Sequence, residues 1–211
     1  MKFLDSIRLR TAITGKVIDA ETQAPIPGAR VSLSGPPAFQ AILDVLAVQY
    51  GDAWAGMTAR PDRAISVDDG FFQFGDVPDG AYTLTLDYPR SVDRYGTQTA
   101  TTTVTHAPDG SVTPTPILVA LPPTAVKGTI LRSFPLASPA KPPAPLQMAR
   151  VRVRGSGQEA YTDGLGNYYL TGVDPGQHVL AITSPGLAAA SATVTVTRGV
   201  VTLLSTVTLS P

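Results

Sequence analysis

The stretch FGDVPDGAYTLTLDYP (Phe74–Pro89) decides the fold, because a near-copy, LTGVDPGQHVLAITSP, occupies Leu170–Pro185. In both copies apolar side chains alternate with other residues on either side of a Pro- and Gly-containing turn, which is the two-residue period of a β-strand. A shift of 96 positions aligns the recurring residues, which are apolar side chains and glycine: Phe74/Leu170, Val77/Val173, Gly80/Gly176, Leu84/Leu180 and Leu86/Ile182.

The acidic turn of the first copy is interpreted as a folding device rather than a site. Asp76 and Asp79 become Gly172 and Pro175 in the second copy, so the carboxylates are not shared. The glycine at the end of the turn does recur, and glycine adopts backbone angles that other residues avoid. The pattern predicts a β-hairpin with Gly80 or Gly176 in its turn.

The duplication extends to the rest of the chain. TAITGKVID from Thr11 resembles TAVKGTILR from Thr124, and GARVSLSG from Gly28 resembles MARVRVRG from Met148. Each copy has about seven candidate strands separated by turn signals, a pattern typical of a two-sheet antiparallel sandwich. We therefore predict an all-β protein with two tandem antiparallel sandwiches, at residues 1–123 and 124–211.

The two copies differ by insertions. Residues 36–63 are added after the second strand of the first copy, and their apolar residues recur near helical spacing between Pro36–Pro37 and Gly51. This spacing predicts one short helix. The second copy has a proline-rich segment at residues 133–147, which we expect to form a loop.

The runs GKVIDAETQAPIPGARVSLSG and VDDGFFQFGDVPDGAYTLTL closely resemble the carboxypeptidase regulatory-like domain, a transthyretin-like sandwich with an immunoglobulin-like arrangement. The second copy keeps the later half of the pattern but lacks the PIPGA turn and has His178 in place of Tyr82. The resemblance implies two such sandwiches. It also implies modules for interaction, stability or spacing rather than catalysis.

Composition excludes several classes of protein. Hydrophobic residues make up 43% of the chain and charged residues 15%, which is too apolar for a disordered chain. Without cysteine there is no disulfide and no thiolate metal site. Sixteen basic residues balance sixteen acidic ones, so a basic groove for nucleic acid is not expected.

Targeting signals are not apparent in the sequence. The first ten residues, MKFLDSIRLR, carry charges instead of the apolar run of a secretory signal, so we expect a cytoplasmic protein. No uncharged apolar run approaches the roughly 18 residues of a membrane span.

The two halves carry opposite charge. Residues 1–123 have 9 basic and 13 acidic residues, and residues 124–211 have 7 and 3. This opposition either steers contacts with partners or reflects two solvated surfaces.

Residues with catalytic or metal-binding chemistry are sparse. The histidines, His106 and His178, have no Ser/Asp set at catalytic spacing, and we interpret both as structural. Turn formation is the commoner use of clustered aspartates, although calcium binding is the alternative for Asp62, Asp68, Asp69, Asp76 and Asp79. We expect no cofactor, no metal and no enzymatic activity.

Two features suggest contact with a protein partner, each with a structural alternative. The helix of the insertion either caps an open end of the core or anchors in a partner's groove. The RVRVR strand either carries solvated charges that deter aggregation or forms a docking strip for anions. The candidate partner-binding residues are Phe39, Ile42, Leu43, Leu46, Trp54, Arg150, Arg152 and Arg154.

These observations favour a non-enzymatic structural or adaptor subunit that docks onto a larger protein assembly. By analogy with decorated particles, that assembly would be a phage-tail-like contractile injection particle. The alternative is a carbohydrate-binding or adhesive surface module, for which Tyr88, Tyr95, Tyr161 and Tyr169 are the candidate contacts. We expect other protein subunits as partners, with no nucleic acid, membrane span or small-molecule substrate.

Overall fold

The computed structural model describes residues 10–57, 60–89, 94–114, 116–134 and 141–211. The chain divides into two compact units. Unit 1 comprises residues 1–90 and 97–121, and unit 2 comprises residues 91–96 and 122–211. Each unit is built from two β-sheets, which confirms the predicted all-β sandwich class. In the described part of the chain, no helix is long and apolar enough to cross a membrane.

Unit 1 combines strands with the predicted helical insertion. Its elements are β1 (Thr11–Asp19), β2 (Arg30–Ser34), α1 (Pro37–Tyr50), α2 (Ala53–Gly56), β3 (Arg63–Ile65), β4 (Phe71–Gly75), β5 (Gly80–Asp87), β6 (Gln98–Val104) and β7 (Pro116–Leu121). One sheet has the order β4-β1-β7 and the other β3-β2-β5-β6. Most neighbours are antiparallel, but β7 runs parallel to β1.

Unit 2 repeats this arrangement. Its strands are β8 (Ala125–Phe134), β9 (Lys141–Pro145), β10 (Arg150–Val153), β11 (Glu159–Tyr161), β12 (Asn167–Thr171), β13 (Gly176–Thr183), β14 (Ala190–Val196), β15 (Val201–Leu203) and β16 (Val207–Leu209). The orders β12-β8-β15 and β11-β10-β13-β14 match those of unit 1 strand for strand. The last strands, β15 and β16, run parallel to β8.

The proline-rich segment contains a strand. Within residues 133–147, β9 pairs antiparallel with the end of β8, whereas residues 135–140 lie outside the described residues. Proline lacks the backbone N–H needed inside a sheet but is tolerated on an edge strand. The edge position of β9 therefore accounts for a strand where a loop was expected.

The predicted hairpin is wrong, and an arch between the two sheets takes its place. β4 pairs with β1 in one sheet, whereas β5 pairs with β2 and β6 in the other. Val77 and its counterpart Val173 are buried where the chain crosses. Alternation and a turn are common to a hairpin and an arch, so only the long-range pairing distinguishes them.

Backbone conformation explains which residues of the arch recur. Gly80 and Gly176 have φ of 144° and 135°, a region that glycine occupies without steric cost. Asp76 and its counterpart Gly172 both adopt left-handed angles, with φ of 51° and 71°. Aspartate tolerates this conformation. The position therefore requires a backbone geometry rather than a carboxylate.

In each arch, a side chain from the following strand, β5 or β13, hydrogen-bonds to a backbone carbonyl of the arch. In unit 1 the Tyr82 hydroxyl donates to the Pro78 carbonyl oxygen at 2.7 Å, and burial raises the pKa of Tyr82 to about 12. In unit 2, Nε2 of His178 lies 2.7 Å from the carbonyl oxygen of Asp174, the residue equivalent to Pro78. The substitution of histidine for tyrosine thus keeps a donor aimed at the same carbonyl.

We expect Tyr82→Phe to lower the free energy of unfolding by about 1 kcal/mol, because it leaves the Pro78 carbonyl without its donor. Urea denaturation monitored by circular dichroism measures the change. Tyr161→Phe is the matched control, because Tyr161 is half-exposed. An unchanged unfolding free energy in Tyr82→Phe would show that the arch does not depend on this bond.

We expect Tyr168→Phe to stabilise the protein, in contrast to Tyr82→Phe. The Tyr168 hydroxyl is buried and finds no hydrogen-bond partner among the described residues, and unit 1 has Phe72 at the equivalent position. Removing an unsatisfied buried hydroxyl should raise the free energy of unfolding by about 1 kcal/mol. A destabilised Tyr168→Phe variant in the same urea titration would contradict this assignment.

Candidate functional site

One face of α1 closes the core of unit 1. Phe39 is 1% exposed and packs edge-on against Tyr82, with ring centroids 5.4 Å apart and an interplanar angle of 75°. Leu43, one helical turn later, is also buried. The helix therefore covers the arch through Phe39 and Leu43, and these two predicted contact residues are not presented to a partner.

The opposite face of α1 leaves apolar side chains in solvent. Val45 is 66% exposed and Val48 is 85% exposed, while Ile42 is 42% exposed and Leu46 is half-buried. The helical period places Val45 and Val48 away from Phe39 and Leu43. The sequence prediction grouped Phe39, Ile42, Leu43 and Leu46 as one set. On a helical projection the other three residues lie within about 60° of Phe39, while Val48 lies opposite it, so the projection identifies Val48 but does not predict that Ile42 is more exposed than Phe39 and Leu43.

Trp54 belongs to a network that fastens the end of the insertion. The Arg60 guanidinium carbon lies 3.9 Å from the centroid of the Trp54 ring, and Tyr50 stacks beside that ring with centroids 6.2 Å apart. Arg60 also binds both carboxylate oxygens of Asp62, at 2.8 Å and 2.7 Å, and donates to the Trp54 carbonyl. The arrangement explains why the single tryptophan is present without requiring a partner.

Burial distinguishes this ion pair from the other ion pairs among the described residues. The side chains of Arg60 and Asp62 are 9% and 15% exposed. A buried charge is tolerated only when it is paired, and the planar guanidinium suits a bidentate carboxylate and an aromatic face together. Arg60 and Asp62 were not predicted as a pair, although their spacing of two residues beside Trp54 was visible in the sequence.

A cleft of about 550 Å³ lies between α1 and the edge of the sheet that contains β4. Its lining includes Ile42 from the helix, Arg60 and Arg63 from the segment around β3, and Gln73 and Asp76 from β4 and the arch. The insertion therefore creates a concavity.

The arginine strip of unit 2 is interrupted. Arg150 pairs with Glu159, with its Nε 2.9 Å from Oε2, and holds the pKa of Glu159 below its ordinary value. Nε of Arg152 donates to the Ser156 carbonyl at 3.3 Å. Arg154 is exposed but lies beyond the end of β10. The three guanidinium groups predicted to share a strand face thus have different surroundings, and one is neutralised.

Four of the five aspartates predicted as turn formers or calcium ligands have separate partners, and the fifth, Asp68, is exposed. Asp62 binds Arg60, Asp69 binds Lys16 at 3.3 Å, and Asp76 accepts the Arg10 N–H at 3.0 Å. Asp79 lies 2.5 Å from Nδ1 of His106. In the described part of the chain, no three His, Asp or Glu residues are grouped so as to hold a metal ion.

The tyrosines considered for glycan contact do not form one platform. Tyr95 is buried, Tyr161 is half-exposed, and Tyr88 and Tyr169 are partly buried. Tyr161 and Tyr169 lie on β11 and β12, which belong to different sheets. Within the described residues, these four side chains therefore provide no shared surface for stacking on a sugar.

Comparison with protein families supports the resemblance derived from the sequence. The model of the carboxypeptidase regulatory-like domain matches residues 141–210. The matched residues form the greater part of unit 2, and this part of the chain is similar to that domain, while unit 1 lies outside the match. A search of curated proteins found no significant match.

Several solved structures are similar to the chain. The shaft pilin SpaA from Lactobacillus rhamnosus GG has 13% identity and a TM-score of 0.45 over 97% of this chain and 98% of that chain. GBS52, the minor pilin of Streptococcus agalactiae, has 11% identity and a TM-score of 0.31 over 94% of this chain and 96% of that chain.

A mutant type II cohesin–X-dockerin complex from Acetivibrio cellulolyticus contains a chain with 23% identity and a TM-score of 0.33. The match covers 41% of this chain and 56% of that chain. The chain thus spans little more than half the length of this neighbour. The TM-scores of these three structures lie below 0.5.

Replacing Arg60 with Met should lower the free energy of unfolding by about 3 kcal/mol, because Asp62 would keep a largely buried charge without a partner. Urea titration of the intact chain measures the loss, and the double variant Arg60→Met/Asp62→Leu should recover part of it. Arg150→Gln is the control, since it removes an exposed cation. Equal effects of Arg60→Met and Arg150→Gln would refute the importance of the buried pair.

Stability should fall in acid partly through Asp79. The side chain and backbone N–H of His106 hold the pKa of Asp79 below its ordinary value. A carboxyl whose pKa is lowered by folding contributes stability above its unfolded pKa of about 4, and the contribution disappears as pH falls through the folded value. In thermal melts between pH 2 and about 5, the melting temperature of Asp79→Asn should fall less with decreasing pH than that of the wild type. The exposed Asp52→Asn is the control, and parallel acid profiles of Asp79→Asn and wild type would contradict the prediction.

Proposed function

We propose that the protein is a non-enzymatic structural or adaptor module that docks onto another protein subunit through the exposed face of α1. The observation that carries this proposal is the solvent exposure of Val45 and Val48 on a helix whose other face is already committed to the core. The helix thus has two apolar faces, and the core accounts for one of them.

Energetics support a partner for the second face. Burying a valine side chain contributes about 1.5 kcal/mol, so a groove that covered Val45 and Val48 would gain useful affinity. Helices of this kind are recognised by apolar anchors three and four residues apart. Unit 2 has no described helix, so the proposed docking surface belongs to unit 1 alone.

The proposal concerns a protein partner and does not specify the assembly to which that partner belongs. A phage-tail-like contractile injection particle and a cytoplasmic location both remain predictions from the sequence and from analogy. The carbohydrate-binding alternative receives no support from the placement of the four candidate tyrosines.

The test is a double variant, Val45→Asp/Val48→Asp, in which charge is placed on the exposed face. A protein partner co-purified with the tagged wild-type chain from native lysate, and identified by mass spectrometry, should be lost from this variant because desolvating two carboxylates opposes docking. Thr99→Asp/Thr101→Asp, on exposed positions of β6, is the matched control and should retain the partner. Retention of the same partner by both variants would refute the proposed surface.

Phe39→Ala separates docking from capping. It removes a buried ring, so we expect the free energy of unfolding to fall by about 3–5 kcal/mol in urea titration. Val45→Asp/Val48→Asp should unfold at the wild-type urea concentration. A comparable stability loss in the double variant would mean that this face also belongs to the core, and the docking proposal would fail.

A further inference from the structure

At the outer edge of β4, the backbone groups of Gln73 have no hydrogen-bond partner among the described residues, whereas those of Phe71 already bond to the Val67 N–H and the Asp69 carboxylate. The Val17 N–H donates to Gly70 O at 2.9 Å, and Gly15 and Ile13 pair with Phe72 and Phe74. Backbone groups alternate in direction along an antiparallel strand, so those of Phe72 and Phe74 face β1. The N–H and C=O of Gln73 therefore point away from β1. Because β4 is the outer strand of the order β4-β1-β7, they face the open edge.

The cleft under α1 lies along this edge. Gln73 and Gly75 contribute to its lining from β4, and Ile42 contributes an apolar side chain that is 42% exposed. An extended peptide hydrogen-bonded to Gln73 would direct every second side chain into the cleft, since side chains alternate along a strand. Its volume of about 550 Å³ accommodates such side chains.

Charge specifies one of those side chains. Arg60 in the cleft wall is neutralised by Asp62 at 2.7 Å. Arg63 has no carboxylate within ion-pair distance among the described residues, and its guanidinium makes one long hydrogen bond of 3.4 Å to Ala55 O. The acidic residue of the cleft lining, Asp76, accepts the backbone N–H of Arg10 and, among the described residues, forms no ion pair with Arg63. The cation that remains for a ligand is Arg63, which suits a carboxylate.

Among its described residues, unit 2 has neither the cleft wall formed by α1 nor an arginine at the position of Arg63. The position equivalent to Arg63, 96 residues later, is Glu159, and its carboxylate is paired with Arg150. The insertion that forms the upper wall of the cleft also belongs to unit 1. We therefore expect the proposed ligand to bind unit 1 and not the equivalent position of unit 2.

We propose that unit 1 binds an extended peptide by strand addition to β4. The peptide places an apolar side chain beneath Ile42 and, two residues away, an acidic side chain on Arg63. This site takes a different ligand from the α1 docking face and does not depend on Val45 or Val48.

The test uses a defined peptide, acetylated and amidated TVTLTETV, in which leucine and glutamate fall on one face of a strand. Binding to the full chain is measured by isothermal titration calorimetry, and saturable binding is expected. Replacing the peptide glutamate with lysine should weaken binding by about tenfold or more, because it sets two cations together. Absence of binding by TVTLTETV and by its Leu→Ile and Leu→Phe forms would overturn the proposal.

A charge exchange tests the role of Arg63. Arg63→Glu should bind the glutamate peptide at least about tenfold more weakly and should recover affinity for the lysine peptide. Arg154→Glu, which alters an exposed arginine of unit 2, should behave as the wild type. Should Arg63→Glu not fold, the two peptides on the wild-type chain still decide the point. Equal affinity for both peptides would refute the charge assignment.

Backbone methylation tests strand addition directly. N-methyl groups placed on alternate peptide residues block the N–H groups on one edge only. One of the two alternating sets should abolish binding and the other should leave it nearly unchanged. Equal tolerance of both sets would overturn strand addition. Val45→Asp/Val48→Asp should bind the peptide normally, so that failure of the docking proposal and failure of this one are distinguishable.

Discussion

The arch between β4 and β5 is the constraint on which the architecture of each unit depends. The chain must leave one sheet, cross the core and enter the other within a few residues, and in both units a side chain donates to the carbonyl at this crossing. Tyr82 supplies a hydroxyl in unit 1 and His178 an imidazole nitrogen in unit 2, each 2.7 Å from the equivalent oxygen. The side chains differ in chemistry, but each donates to the carbonyl at the same position of its arch.

The insertion adds surface to a sandwich that is complete in unit 2 without it. Phe39 packs on Tyr82 and so connects the helix to the arch, while the Trp54–Arg60–Asp62 network fastens the other end of the insertion. Held at both ends, α1 can expose Val45 and Val48 and can form one wall of the cleft beside β4. The proposed docking face and the proposed peptide cleft thus lie on two sides of α1.

Predictions from the sequence were confirmed for features that depend on neighbouring residues and were wrong for features that depend on contacts between residues far apart in the chain. The strands, the recurring glycines and the helix follow from periods of two and 3.6 residues and from turn chemistry. The hairpin prediction failed because the same alternation fits an arch. The partner-binding set mixed buried Phe39 and Leu43 with exposed Ile42, since a list of apolar positions does not specify which helix face meets the core. Three arginines at alternate positions suggested a strip, but Glu159 neutralises Arg150 from the neighbouring strand.

By itself the sequence determined a duplicated all-β chain with a helical insertion in its first copy, because backbone preferences and side-chain periodicity act between near neighbours. Only the tertiary structure decided which sheet each strand joins, which charges are neutralised, and which apolar and backbone groups remain open to a ligand. Those outcomes depend on residues far apart in the chain, such as Tyr82 with Phe39 and Val17 with Gly70. Burial and hydrogen-bond satisfaction, which choose among arrangements that the local pattern permits, exist only once these residues meet.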